Sequence, residues 1–117
     1  MTIYIKRAYE TADAQDGYRV LVDRLWPRGV SKEAAQLDDW LKDIAPSDEL
    51  RHDFHQGNME WGTFRRRYLT ELTEHREALR DLAERGANHK VTLIYSAKDE
   101  AHNNAVVLQQ YLAMLTS

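Results

Sequence analysis

Two short apolar runs, each halted by a dense polar cluster, limit what this chain can fold into more than any other feature. Residues 19–29 read RVLVDRLWPRG, and residues 91–104 read VTLIYSAKDEAHNN. Val20, Leu21 and Val22 in succession suit a strand buried on both faces, as strands are in a parallel sheet covered by helices. The second run passes through its polar cluster into a helix. Ligands of open α/β sheets sit outside the carboxyl ends of the strands, so these two polar ends are where function is expected.

The rest of the pattern surrounds these runs. Residues 2–7 alternate, with Ile3 and Ile5 on one face and Tyr4 on the other, which predicts a strand. Asp16 and Gly17 mark the turn before 19–23. Pro27 and Gly29 end regular structure, and Ser31 is placed to cap a short helical turn through Gln36. Residues 37–45 read two ways. Leu37, Trp40, Leu41 and Ile44 keep helical spacing, while a strand near 40–45 would be closed by Pro46. Ser47, with Asp48 and Glu49 against the positive end of a helix dipole, starts a helix that stops at Gly57. Asn58 is placed to cap one long helix to about Arg85, with Gly86 at its stop. Its apolar face carries Trp61, Phe64, Tyr68, Leu72, Leu79 and Leu82. A strand follows at 91–96. The last helix is expected from Asp99 to Leu115, with Ala105, Leu108, Leu112 and Leu115 toward the core. This order of elements is that of an α/β or α+β domain.

Composition removes several function classes. The chain has 117 residues, 43% hydrophobic and 30% charged, as expected of one globular domain. Its net charge of −3 provides no global field favouring nucleic acid or an acidic membrane. It contains no cysteine, which excludes disulfides, thiolate metal sites and a cysteine nucleophile. The opening MTIYIKRAYE lacks a signal-peptide core, and no run approaches the ~18 apolar residues of a membrane span, so a cytoplasmic location is expected. No glycine-rich phosphate loop or dinucleotide fingerprint is present, so no nucleotide cofactor is expected.

At the first polar end stand Asp23, Arg24, Trp26, Arg28 and Gly29. Two guanidinium groups four residues apart offer bidentate forks for phosphate, sulfate or carboxylate. Gly29 permits a close turn, and Trp26 would wall the pocket. The plainer alternative is an ion pair for Asp23, a core Trp26 and an ordinary turn. At the second end stand Tyr95, Ser96, Lys98, Asp99, His102, Asn103 and Asn104. A helix start at Asp99 would turn the N–H groups of residues 100–102 outward as an anion site, with Lys98 adding charge. Against this, Asp99 and Glu100 can satisfy those groups themselves. Asn103 and Asn104 are poor helix formers, so they either bind a ligand or cap a neighbouring loop.

These residues resemble the YeaO-like branch of a bacterial family of domains of unknown function. The resemblance covers nearly the whole chain and is most specific at VLVDRLWPRGVS (20–31), WLKDIAPSDEL (40–50) and LIYSAKDEAHNNAVVL (93–108). It implies a small α/β domain with strands at 3–6, 19–23, near 40–45 and 91–96, and so favours strand for the ambiguous middle segment. It implies no established activity. Broader relatives carry cysteines near the last strand end in a C…CHR-like pattern. Here His102, Asn103 and Asn104 stand in the corresponding place, which removes thiol chemistry. A parallel crossover needs a dozen or more residues, and 8–17 is barely long enough, so the direction of the first strand stays open.

Other chemistry is weakly signalled. His52 and His55 lie one helical turn apart, but zinc needs three or four ligands and no further ligand is evident, so no metal is expected. Ser96 and His102 lack a G-x-S-x-G elbow and an orienting acid. If a general acid or base exists, His102 is the first candidate and Asp23 the second. Arg65, Arg66 and Arg67 spread around the helix circumference rather than form a nucleic-acid stripe.

The expectation is a single domain over 1–117, a sheet of about four mostly parallel strands with flanking helices. Its polar pocket would be positively biased. His102, Asp23 and Ser96 are the candidate catalytic groups. Arg24, Trp26, Arg28, Gly29, Tyr95, Lys98, Asn103 and Asn104 are the candidate binding groups. The pocket serves either an enzyme acting on a small anionic metabolite or a non-catalytic module binding a small ligand or protein, with the oligomeric state open.

Overall fold

The computed structural model describes residues 3–116, the last by its backbone alone. Four strands form one sheet in the order β1–β4–β2–β3, with β1 at Ile3–Arg7, β2 at Tyr18–Leu21, β3 at Asp39–Trp40 and β4 at Val91–Tyr95. Every pairing is parallel. This answers the open question about the first strand. The chain from β1 to β2 passes over the position that β4 later fills, so the two are not neighbours. β4 lies between them in matched register, pairing Ile3 and Tyr18 with Val91, and Lys6 and Leu21 with Ile94.

Alternation then sorts the side chains. Val20, Val22, Val91, Leu93 and Tyr95 enter the main core with Phe64, Tyr68, Leu72, Leu79, Leu82, Leu108 and Leu112. Those partners come from α3 (Trp61–Leu72), α4 (Arg76–Asn88) and α5 (Asn104–Thr116). The other face is covered by loops. Near the carboxyl ends, Ala8, Leu21 and Ile94 pack with Trp26, Leu37 and Trp40. Toward the amino ends a 3-10 turn, Ala14–Asp16, lies across the sheet. Asp16 accepts from Arg19 at 2.6 Å and from Lys6 at 3.1 Å, and its carbonyl accepts from Thr92 Oγ1 at 2.7 Å.

Several boundaries differ from the sequence pattern. The middle strand shrinks to two residues because Lys42–Ile44 turns as a 3-10 helix into Pro46. The long helix is two helices separated by a 3-10 turn at Thr73–His75. Glu60, not Asn58, stands at the N-cap of α3. Gly86 does not end α4. It is buried within it, where an added Cβ would meet the Ile3 side chain. α1 (Lys32–Ala35) and α2 (Asp48–His55) start from Ser31 and Ser47, as their capping chemistry predicts. α5 begins at Asn104 rather than Asp99, and Leu115 lies exposed rather than in the core.

Gly17 has φ +67° and ψ −132°, which only glycine enters readily, and an added Cβ would meet the Lys90 carbonyl that accepts from Tyr18 N–H. Gly17→Ala should therefore cost roughly 2 kcal/mol or more in urea unfolding. Burial raises the Asp16 pKa, but hydrogen bonds from Asp13 N–H, Lys6 and Arg19 outweigh it and leave a net lowering. A depressed carboxylate contributes stability above its unfolded pKa of about 3.9 and loses it as pH falls through the folded value. Asp16→Asn should cost about 3 kcal/mol at pH 7, because it leaves Arg19 buried without its counter-ion. That difference from wild type should shrink in unfolding curves taken below about pH 4.

Candidate functional site

Parallel strands put their carboxyl ends on one side of the sheet, and there the two polar clusters meet. A cleft of about 620 Å³ is lined by Asp23, Arg24, Trp26 and Arg28 from the end of β2, and by Ser96, Lys98, His102, Asn103 and Asn104 from the end of β4. Two expected residues are not part of it. Tyr95 is the last inward residue of β4 and is buried in the core, which raises its hydroxyl pKa. Gly29, with φ +81°, borders a separate shallow groove beside Tyr9 and Val30.

Asp23 holds the two ends together. The register that pairs Leu21 with Ile94, carried two residues further, sets Asp23 beside Ser96. Its Oδ2 accepts from Ser96 N–H at 2.9 Å and from Ser96 Oγ–H at 2.8 Å. Its Oδ1 accepts from Asn104 Nδ2 at 2.9 Å, and the same amide donates to Val22 O at 3.0 Å. Trp40 Nε1 donates to the Asp23 carbonyl at 2.7 Å. This set of bonds holds the carboxylate in place and engages both of its oxygens. It also decides the role of Asn104, which ties the first turn of α5 to β2.

The second cluster caps itself. Asp99 Oδ1 accepts from the N–H groups of Ala101 and His102, both at 2.9 Å. Hydrogen bonds from His102 N–H and then Ala101 N–H lower the Asp99 pKa. The helix itself is capped by Asn103, whose Oδ1 accepts from Val106 N–H at 3.0 Å while its Nδ2 donates to Asp99 O at 2.8 Å. Two of the three N–H groups expected to face outward at a helix start on Asp99, those of Ala101 and His102, are thus taken by the protein's own carboxylate. His102 Nδ1 lies 3.4 Å from Asp99 Oδ2, and its ring lies 4.9 Å from that of Trp61. Ser96 donates to Asp23, and no hydrogen bond joins it to His102 among the described residues.

The cations are differently placed. Arg24 donates to the carbonyls of Pro46 and Ala45, both at 3.3 Å, so backbone acceptors orient its guanidinium. Arg28 and Lys98 are exposed at the rim. A fourth cation, Arg51, was not singled out by sequence reasoning. It lines the cleft from α2 together with Phe54 and His55, which share its helix face at spacings of three and four. Its Nε is buried without a hydrogen-bond partner among the described residues. Asp48 Oδ1 stands 3.7 Å from Arg24 Nε and 3.5 Å from Arg51 Nη2, so one exposed carboxylate serves two guanidinium groups. The spacing on α2 was legible. That this face meets the strand ends was not, because the segment linking β3 to α2 sets the helix position.

Among the described residues, no group of three or more His, Cys, Asp or Glu side chains could hold a metal ion, and no helix is long and apolar enough to cross a membrane. His52 is exposed, while His55 borders the cleft.

The chain is 47% identical over 115 residues to the uncharacterised protein YeaO of Escherichia coli K12, covering 98% of this chain and all of that protein. It is 38% identical over 110 residues to the uncharacterised proteins Mb3100c of Mycobacterium bovis and Rv3073c of Mycobacterium tuberculosis, covering 94% of this chain and 92% of each relative. No solved structure is significantly similar. The family model described as the inactive DUF488-N3 subclade matches residues 2–116, so the chain belongs to that family as a YeaO-like member.

Proposed function

We propose that the cleft captures a small anionic ligand and does not transform it. The observation that carries this reading is the pairing of Arg24 and Arg51 around a single carboxylate, Asp48, whose side chain is 73% exposed. Two guanidinium groups held near each other, with one solvent-screened carboxylate between them, leave positive charge that favours a further anion. The lining as a whole carries Arg24, Arg28, Arg51 and Lys98 against the carboxylates of Asp23 and Asp99. Both carboxylates already accept hydrogen bonds from the protein. A chain of net charge −3 has therefore gathered cations at this one edge.

The same hydrogen bonds speak against turnover. Asp23 already accepts three hydrogen bonds from the protein, Ser96 is committed to Asp23, and His102 faces Asp99 and Trp61 rather than a nucleophile. A nucleophile needs a base within hydrogen-bond reach, itself oriented by a third group. The description of the family as an inactive subclade supports the non-catalytic choice.

Thermal unfolding against phosphate, sulfate, carboxylates and phosphorylated metabolites should show a saturable upward shift. At 100 times its dissociation constant a ligand adds about 2.7 kcal/mol. Arg51→Ala and Arg28→Ala should reduce the shift. Absence of any shift would overturn the reading, and turnover abolished by His102→Ala would replace it with an enzyme. Asp23→Ala should lower stability by about 2 kcal/mol in urea unfolding, since Ser96 and Asn104 would lose their acceptor.

A further inference from the structure

The cleft is much larger than a bare oxyanion requires. Its volume of about 620 Å³ lies within the ~300–1,000 Å³ of small-molecule pockets, which combine apolar walls with a few polar groups. The polar groups are accounted for above. The walls are aromatic.

Phe54, partly buried against the core, lines the cleft one helical turn beyond Arg51. Its ring is stacked on that of Phe64, with centroids 4.3 Å apart and planes at 22°. Phe64 is buried and stacks in turn on Trp61 at 5.7 Å and 24°. The near-parallel stack anchors Phe54 to the core and fixes the tilt of its ring at the cleft wall. Trp26, which also lines the cleft, is held by a 2.6 Å hydrogen bond from Nε1 to Val30 O and by an edge contact with Trp40 at 5.4 Å. Tyr9 and Leu25 complete the rim, 49% and 58% exposed. Rigid aromatic surfaces beside a guanidinium pair form a site with two chemical ends.

We infer that the ligand carries an aromatic ring joined to its anionic head, an aryl carboxylate or aryl phosphate, with the ring on Phe54 and the head on Arg51 and Arg24. The inference rests on the anion-binding reading and narrows it to a ligand class. Offset stacking on Phe54 adds to burial of the ring, and the guanidinium fork takes either a carboxylate or a phosphate.

The test is calorimetric titration of the full chain with matched pairs: acetate against benzoate, and inorganic phosphate against phenyl phosphate, with cyclohexyl phosphate as the saturated control. The aryl member of at least one pair should bind roughly tenfold or more tighter than its small counterpart, from stacking plus ring burial. The pair showing the larger gain identifies the head group. Phenyl phosphate should also bind more tightly than cyclohexyl phosphate. Phe54→Leu should remove most of the aryl gain while leaving inorganic phosphate binding unchanged. The wild-type comparison stands even if that variant folds poorly. If small anions bind and the aryl members bind no better, or the saturated ring does as well, the aromatic inference falls and the anion reading stands. An aryl gain that persists in a folded Phe54→Leu overturns the placement on Phe54. If none of the ligands binds, both fall.

Discussion

β4 has a neighbour on each edge, a helical layer on one face and loops on the other, and all five of its residues are buried. Its parallel registers with β1 and β2 are what the rest of the molecule depends on. They bring three carboxyl ends to one side, align Asp23 with Ser96, and direct the chain after Tyr95 toward α5 above the same edge. An antiparallel β2 would have put Asp23 and Ser96 at opposite ends of the sheet, and no cleft would contain both.

Polar groups behave differently at the two ends. Under the loop-covered face, Asp16, Arg19 and Lys6 form a largely buried network, with Arg19 Nη2 left without a hydrogen-bond partner among the described residues. At the carboxyl edge the carboxylates are occupied by backbone and amide donors, while the guanidinium groups are held by carbonyls or share one exposed acid. Asp23 spends both oxygens on the protein, whereas Arg28 and Lys98 stand exposed at the rim. Four formal positive charges stand near two hydrogen-bonded carboxylates and the exposed Asp48, so this edge carries a positive excess in a protein that is not basic overall.

Much of the fold could be read along the chain because it rests on local chemistry. Ser31 and Ser47 cap helices at the positions read for them in the sequence, Ser47 with Asp48 and Glu49 following it. The apolar stripe from Trp61 to Leu82 predicts the correct buried face across both α3 and α4, although the chain breaks it with a 3-10 turn at Thr73–His75. Errors fall where local signals compete. Asp99 was a credible N-cap, but its carboxylate closes a turn on Ala101 and His102, and the buried amide of Asn103 takes over the cap. Tyr95 continues the strand alternation into the core, so its place beside Ser96 in sequence does not bring it into the cleft.

Apolar runs ending at polar clusters, capping serines and helical stripes were sufficient to specify an α/β chain with polar clusters at two strand ends, because burial and capping depend on neighbours a few residues away. Parallel direction, the meeting of Asp23 with Ser96 and Asn104, and the arrival of Arg51 and Phe54 at the same cleft were decided only in three dimensions. These contacts join residues tens of positions apart, and their geometry follows from strand order and helix placement, which no local pattern encodes.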